Sequence, residues 1–185
     1  MANVLVLYGA TEGQTAKIAK YIAEKLNADG HDVETKDGAN LPDDFSLEPF
    51  DAVIIGASVH YGRHQKYIRE LIKKNLDVLN RKPAAFFSVS GAAGSPHEKD
   101  HTGVRKLVDK FIEETGWRPA RTEVFGGAIL YTQYNIFKRL MMKMILQSAG
   151  GPTDTSRDHE LTDWNAVTRF AGAFAAEYLN KPARA

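Results

Sequence analysis

The sequence predicts an α/β fold in which a doubly wound, five-stranded parallel β-sheet is covered by helices on both faces. Two apolar runs, 51–56 and 84–90, lack the alternation of a half-exposed strand, so they are expected to be buried on both sides. A 3.6-residue apolar repeat, as at Ile18, Ile22 and Leu26, marks the helices between the strands. This alternation is typical of β–α–β units, whose crossovers are right-handed.

The predicted elements are bounded by residues that interrupt regular structure. Gly30 follows the first helix and Pro83 precedes the fourth strand. No linker or repeat divides the chain, so we expect one domain over 1–185. In chain order the prediction is strand 3–8, helix 14–28, strand 32–36, strand 51–56, helix 64–80, strand 84–90, helix 102–115, strand 121–130 and helix 162–180.

The composition excludes several classes of protein. With no cysteine among its 185 residues, the chain has neither disulfides nor thiolate ligands for a metal. Its net charge of +1 is too weakly basic to suggest a nucleic-acid partner. The N-terminus lacks the features of a secretory signal, and no apolar run reaches the roughly 20 residues that span a bilayer. We therefore expect a cytoplasmic protein, and the sequence does not decide whether it forms a homo-oligomer.

The loop after the first strand has the composition of an anion-binding site. It leads directly into a helix N-terminus, where free backbone N–H groups and the helix dipole favour an anion. No lysine precedes Thr15 and no GxGxxG is present, so loops for a nucleotide triphosphate or a pyrophosphate are excluded. A single terminal phosphate such as that of FMN fits, with hydroxyl donors from Thr11 and Thr15. The predicted contacts are the consecutive residues Ala10, Thr11, Glu12, Gly13, Gln14 and Thr15, of which Glu12 contributes only its backbone because its carboxylate would repel the phosphate.

Two further strand-end loops are expected at the same edge of the sheet, where the three loops would form the crevice for a flavin ring. Tyr61 would stack on the flavin while a backbone N–H meets its N5 atom, or Tyr61 would only close the edge of the core. Gly62 allows a close backbone approach. His60 is either a proton relay or an ordinary solvated side chain. The predicted contacts are Ser58, His60, Tyr61, Gly62, Ser88, Val89, Ser90, Gly91 and Ala92.

The loop at residues 11–15 resembles the Thr-x-Gly-x-Thr phosphate loop of flavodoxins, whose sheet order is 2-1-3-4-5. Three further segments carry a narrower resemblance, to the flavodoxin-like, quinone-dependent protoporphyrinogen oxidases of haem synthesis. They are Gly56-Ala57-Ser58-Val59-His60-Tyr61-Gly62, Gly116-Trp117-Arg118-Pro119, and Gly150-Gly151-Pro152-Thr153-Asp154-Thr155 with Thr162-Asp163-Trp164. This resemblance runs from the first strand to the last helix and so covers nearly the whole chain.

The resemblance implies an FMN-dependent oxidoreductase that converts protoporphyrinogen IX to protoporphyrin IX and passes the electrons to menaquinone or ubiquinone. Two alternatives stay open. A flavodoxin-type electron carrier is expected to be strongly acidic, which a net charge of +1 does not match. An NAD(P)H:quinone reductase often lacks a nicotinamide motif. No catalytic residue is assigned, and His60 and Arg63 are the candidates; Arg63 and Arg157 would pair with propionates of a tetrapyrrole or else stay solvated.

A long helical insert is predicted after the fifth strand, over about 129–157, and residues 133–148 within it have helical periodicity. Its apolar face comprises Tyr134, Phe137, Leu140, Met141, Met144 and Ile145; its polar face carries Lys138, Arg139 and Lys143, with Ile136, Met142 and Leu146 intruding. Such a helix would lie on an anionic membrane. It could equally pack on the sheet or cover the substrate. The first interpretation places the protein peripherally on the inner face of the cell membrane.

One motif has a misleading resemblance to a metal site. His97-Glu98-Lys99-Asp100-His101 matches the HExxH signature of zinc proteases. That chemistry needs both histidines on one face within a helix and a third ligand. The segment instead reads as the entry into the third predicted helix, with Glu98 and Asp100 near its N-terminus, so no metal is predicted.

Overall fold

Five parallel strands form the central sheet of the computed structural model, which describes residues 1–95, 97–148 and 150–180. The elements in chain order are β1 Asn3–Gly9, α1 Gln14–Ala28, β2 Asp32–Asp37, β3 Ala52–His60, β4 Arg63–His64, α2 Lys66–Lys74, α3 Leu76–Arg81, β5 Ala84–Ser90, α4 Glu98–Thr115, β6 Arg121–Gly126, β7 Ala128–Ile129, α5 Ile136–Ser148, β8 His159–Glu160 and α6 Trp164–Phe174. The strand order is β2-β1-β3-β5-β6, and the short β4 adds to β3 in antiparallel pairing. Without β4 this is the order 2-1-3-4-5, so the predicted fold class is confirmed.

Alternating side chains of the buried strands fill two separate cores. Val4 and Val6 face α1 and α6 on one side of the sheet, whereas Leu5 and Leu7 face α2, α3 and α4 on the other. This alternation follows from the two-residue period of a strand, which sends successive side chains to opposite faces. Because both faces are covered, the apolar runs that predicted the sheet need no polar alternation.

The predicted helix 64–80 is wrong as a single element. Arg63 and His64 form β4, which pairs back onto the end of β3. The helix then breaks at Asn75, whose side-chain amide donates to the carbonyl of Leu71 at 2.9 Å and ends α2. Apolar periodicity persists across this break, so the pattern alone did not reveal it.

The predicted strand 121–130 is also divided. It leaves the central sheet after Gly126, which is paired with Ser90 at the end of β5. A Cβ on Gly126 would lie 2.1 Å from the carbonyl oxygen of Leu161, so glycine is required for this close approach. Beyond Gly127 the chain forms β7, which pairs with β8 in a second, two-stranded sheet. Because β7 precedes α5 and β8 follows it, their pairing holds the two ends of the insert together.

The remaining boundaries differ by a few residues. The predicted strand 51–56 extends to His60, and the predicted helix 102–115 begins at Glu98, with Glu98 and Asp100 in its first turn. The predicted helix 162–180 begins at Trp164, where the Asp163 carboxylate accepts from two backbone N–H groups, and it ends in a π-helical turn at Ala175–Leu179.

His64 is buried in the core between the sheet and α4. Its Nε2 lies 2.9 Å from the hydroxyl of Ser88, and the centre of its ring lies 4.6 Å from the centre of the Phe111 ring. Burial, together with the positive charge of Arg69, lowers the pKa of His64 to about 4, against a partial opposing effect of Glu114. The imidazole is therefore neutral in the folded protein near pH 7.

This burial makes stability depend on pH. Between pH 6.5 and 4 the unfolded chain binds a proton at His64 more readily than the folded chain, so stability falls as pH falls through that window. We expect a loss of about 3 kcal/mol between pH 7 and 4 that is missing in His64→Gln, which does not titrate. Denaturant unfolding of both proteins at several pH values measures the difference. Parallel pH profiles for the two proteins would contradict this assignment.

Candidate functional site

A cleft of about 300 Å³ opens at the edge of the sheet where β1, β3 and β5 end. Parallel strands bring their carboxyl ends to one edge, so the loops that follow them meet there. These loops form three sides of the cleft, and the segment that contains α5 forms the fourth. The sequence-predicted residues that line it are Glu12, Gln14, Thr15, Ser58, His60, Tyr61, Val89, Ser90 and Gly91.

The first side of the cleft is the N-terminus of α1. Gly13 stands at the N-cap with φ +90°, a left-handed conformation that glycine adopts without strain. The first helical hydrogen bond runs from Lys17 N–H to Gly13 C=O at 3.1 Å, so the amides of Gln14, Thr15 and the following residue have no acceptor within the helix. Ala10, Thr11 and Gly13 flank the lining residues in the chain. The free amides and the helix dipole make this end of the cleft attractive to an anion.

Gln65 connects the phosphate loop to the end of β3, and the sequence analysis missed it. Its side-chain amide donates to the hydroxyl of Thr11 at 3.3 Å and to the hydroxyl of Ser58. A hydroxyl that accepts a hydrogen bond keeps its own proton available for donation. Gln65 therefore leaves the protons of both hydroxyls free to be donated. No local pattern distinguishes it from other polar residues at the start of a helix.

The second side of the cleft ends in a strained turn between β3 and β4. Tyr61 has φ +50° and Gly62 has φ +73°, which is the conformation of a two-residue hairpin loop. A tyrosine in the left-handed region costs on the order of 1 kcal/mol. Its side chain is 98% exposed, so the turn presents the ring at the rim of the cleft instead of packing it in the core. His60 precedes it and also lines the cleft.

The third and fourth sides combine small residues with an apolar wall. Gly91, Gly127 and Ala128 have little or no side chain, which leaves room for a flat group between the loops. Opposite them stands α5. The lining residues that the sequence analysis did not assign to the site are Val59, Gly127, Ala128, Ile129, Tyr134, Lys138, Met141, Met142 and Ile145. The helical periodicity of the insert was the available signal, but it did not say what the insert faces.

Four predicted residues lie elsewhere. Ser88 is fully buried and does not line the cleft, because its hydroxyl lies 2.9 Å from Nε2 of His64 in the core; the prediction that its side chain contacts the cofactor is corrected accordingly. Val89, Ser90 and Gly91, which follow Ser88 at the end of the strand and in its loop, do line the cleft. Gly62 and Arg63 line a separate cleft of about 170 Å³ beside α4. Ala92 belongs to the short turn after β5.

The side chain of Glu12 has a role that the sequence analysis did not give it. One carboxylate oxygen accepts from the hydroxyl of Tyr134 at 3.0 Å, and the other accepts from Lys138 Nζ at 2.8 Å. Burial and the charge of Glu12 raise the pKa of Tyr134 to about 12, which keeps its hydroxyl protonated. These contacts hold the carboxylate against the insert, and contact of Glu12 with a phosphate through its backbone alone stays a prediction.

Lys138 and Arg139 do not form an outward polar face on α5. Lys138 pairs with Glu12, and Arg139 donates to the carbonyls of Tyr131 at 2.9 Å and Tyr134 at 3.2 Å. Lys143 is exposed and forms no ion pair with a described residue. The compensating acid, Glu12, comes from the loop after β1, and no acidic residue lies between Tyr131 and Thr153 in the insert itself.

Apolar side chains cover both sides of α5. Met142 and Leu146 pack inward on a small core that contains Ile129, Tyr131 and Tyr134. Their apparent intrusion on the polar face is thus explained, because that face points into the protein. The outward apolar residues are Ile136, Phe137, Leu140, Met141, Met144 and Ile145.

The other candidate residues have ordinary partners. Arg157 is exposed and pairs with Asp154 at 3.0 Å. His97 is the N-cap of α4, while His101 Nε2 lies 2.7 Å from the carbonyl of Ser95. The described part of the chain contains no group of three acidic or histidine residues placed to hold a metal. Within residues 1–95, 97–148 and 150–180, no helix is both long and apolar enough to cross a membrane.

Comparison with known proteins agrees with this architecture. A family model described as flavodoxin domain matches residues 5–156. The chain is 36% identical to protoporphyrinogen IX dehydrogenase (quinone) of Escherichia coli strain K12 over 173 residues, 94% of each chain. It is 34% identical to the protein of the same name from Leishmania major, over 97% of this chain and 78% of that one. The oxidised flavodoxin 1 of Bacillus cereus superposes with a TM-score of 0.58 at 16% identity, over 95% of this chain and 99% of the other. The chain therefore belongs to the flavodoxin-domain family, within the group of quinone-dependent protoporphyrinogen IX dehydrogenases.

Proposed function

We propose that the cleft binds FMN with its phosphate at the N-terminus of α1. The donors fit one phosphate: the free amides at the start of α1, and the hydroxyls of Thr11 and Thr15. The loop at residues 10–15 contains no cation that could bind the second phosphate of FAD. Lys138, which lies beside the loop, is already paired with Glu12. The flavodoxin-domain match supports a flavin of this kind.

The other sides of the cleft suit a flat, largely apolar ring. Tyr61 stands at the rim with its ring free for stacking, while Gly91 and Gly127 keep the opposite side open. When bound, the flavin would supply the redox chemistry by accepting electrons from a substrate. The protein has to hold the ring, admit the substrate and exclude water.

We further propose that the substrate is protoporphyrinogen IX and that a quinone receives the electrons. The main support is the position of the cleft between the loop after β1 and the apolar wall formed by the insert. The chain is also related along its length to two enzymes named protoporphyrinogen IX dehydrogenase (quinone). Met141, Met142 and Ile145 make this wall apolar, which suits contact with a tetrapyrrole or a quinone ring. His60 is the candidate proton acceptor that lines the cleft, whereas Arg63 faces the separate cleft beside α4.

The outward face of α5 supports peripheral docking on a membrane. Phe137 is 83% exposed, and Leu140 and Met144 are more than half exposed, which is unusual for a soluble surface. Met141 and Ile145 belong both to this face and to the cleft wall, so the two surfaces are continuous. A quinone could then move from lipid to the cleft along apolar side chains. Because Lys138 and Arg139 are engaged within the protein, docking should depend mainly on apolar burial.

The cofactor proposal is tested by flavin fluorescence titration. We expect the parent protein to bind FMN more tightly than FAD. In Gln65→Glu the new carboxylate would accept hydrogen bonds from the hydroxyls of Thr11 and Ser58, so that they no longer donate to the ligand, and would add a negative charge. We expect these changes to raise the FMN dissociation constant at least about tenfold. Gln65→Met, which removes the amide without adding charge, should have a smaller effect. Stoichiometric FAD in the purified protein, or no change in flavin fluorescence when FMN is added, would contradict the proposal.

The reaction is tested by anaerobic turnover of the FMN-loaded protein. We expect protoporphyrinogen IX to bleach the flavin absorbance and porphyrin fluorescence to grow when menaquinone or ubiquinone is added. A protein-free reaction provides the background. Rapid bleaching by NADPH with no porphyrin formed above background would favour an NAD(P)H:quinone reductase. Absence of both reactions would favour an electron carrier.

Membrane docking is tested by co-sedimentation with liposomes. The double variant Phe137→Ser and Leu140→Ser changes the outward face without touching the cleft lining, so we expect it to lose sedimentation and keep FMN binding. Lys143→Gln, the matched charge control, should weaken binding to anionic liposomes by no more than about 1 kcal/mol. Salt should have a correspondingly small effect. Docking is refuted if the parent stays in the supernatant or the double variant sediments as the parent does.

A further inference from the structure

Glu12 and Lys138 place an ion pair between the phosphate loop and the insert. They are 126 positions apart in the chain, yet their side chains meet at 2.8 Å, and both line the cleft. Lys138 Nζ also lies 4.0 Å from the centre of the Tyr134 ring, whose hydroxyl binds the other carboxylate oxygen. The side chain of Glu12 is 25% exposed and that of Lys138 is 41% exposed, so solvent only partly screens the pair.

The pair determines the net charge beside the predicted phosphate position. Glu12 directly precedes Gly13, the N-cap of the helix whose free amides attract the anion. An isolated carboxylate there would repel a phosphate, whereas a carboxylate paired with an ammonium group contributes almost no net charge. Neutralisation requires α5 to lie against the loop, because Lys138 is a residue of α5.

We infer that the Glu12–Lys138 pair couples occupancy of the phosphate site to closure of the insert over the cleft. Docking of α5 removes a repulsive charge and favours the phosphate. By thermodynamic reciprocity, a bound phosphate favours the docked insert. Glu12 and Lys138 are thus positioning residues that make the substrate wall form preferentially when the cofactor is present. This inference rests on the proposed binding of FMN, and it adds a reason for an acidic residue in an anion-binding loop.

The parent protein and three variants differ in the net charge of the Glu12–Lys138 pair. The pair carries no net charge in the parent, +1 in Glu12→Gln, −1 in Lys138→Met, and none in the variant with both substitutions. We expect FMN affinity to follow this order: Glu12→Gln at least as tight as the parent, Lys138→Met weaker by about fivefold or more, and the double variant close to the parent. Lys143→Met removes an exposed cation from the same helix and should leave FMN affinity unchanged.

Riboflavin, which has the ring but no phosphate, separates electrostatic coupling from damage to the cleft. Its dissociation constant should vary less than twofold across the series. If Lys138→Met weakens riboflavin and FMN equally, or if the double variant binds FMN no better than Lys138→Met, the pair is structural and the inference fails. If Lys143→Met weakens FMN as Lys138→Met does, the effect is one of overall charge and the inference also fails.

Hydrogen exchange of α5 gives the second readout. We expect FMN to increase protection of residues 136–148 in the parent, and riboflavin to do so less. In Glu12→Gln the protection of residues 136–148 that FMN induces should be smaller than in the parent, although FMN affinity is kept or increased. General destabilisation would not produce these two opposite changes. Equal protection with both flavins would overturn the coupling while leaving FMN binding intact. Failure of the parent to bind FMN at all would overturn the proposed function and the coupling together.

Discussion

The parallel register of β1, β3 and β5 is the constraint on which the site depends. Gly9 is aligned with Ala57, and Ser58 with Val89, so the loops after these strands leave the sheet at nearly the same level. The N-terminus of α1 begins at that level and supplies unpaired amides. A slip of one residue in any strand would turn its core side chains to the wrong face, so burial of both faces protects the geometry of the cleft.

The parts of the fold that the sequence predicted are those set by local chemistry. Unbroken apolar runs identify strands buried on both faces, and a glycine before a helical repeat identifies the start of α1. The error at 64–80 came from a hairpin with the end of β3 and from the hydrogen bond between Asn75 and Leu71, both local contacts that an apolar repeat does not show. The error at 121–130 came from contacts between distant parts of the chain. Gly126 lies against the backbone of Leu161, and the chain beyond it pairs with β8, neither of which a pattern near residue 126 reveals.

The same distinction separates what was predicted of the site from what was missed. The three loops could be assigned because each follows its own strand. Gln65 acts through Thr11, 54 positions away, and Lys138 acts through Glu12, so neither role is visible in the surrounding sequence. The predicted helical wheel grouped five outward apolar residues of α5 correctly but assigned Ile136 to the polar face and the buried Tyr134 to the apolar one. It also treated the cations as free, since a wheel carries no information about what lies opposite each face.

The division of contacts on α5 has a consequence for how the helix can work. Its attachment to the domain uses Lys138, Arg139 and the inward apolar side chains Met142 and Leu146. The outward apolar face contributes nothing to that attachment, so folding alone gives no reason for so much exposed apolar surface there. A surface that is costly in water and unnecessary for the fold is explained if something outside the protein covers it. The continuity of that face with the cleft wall places such an occupant where an apolar electron acceptor would have to enter.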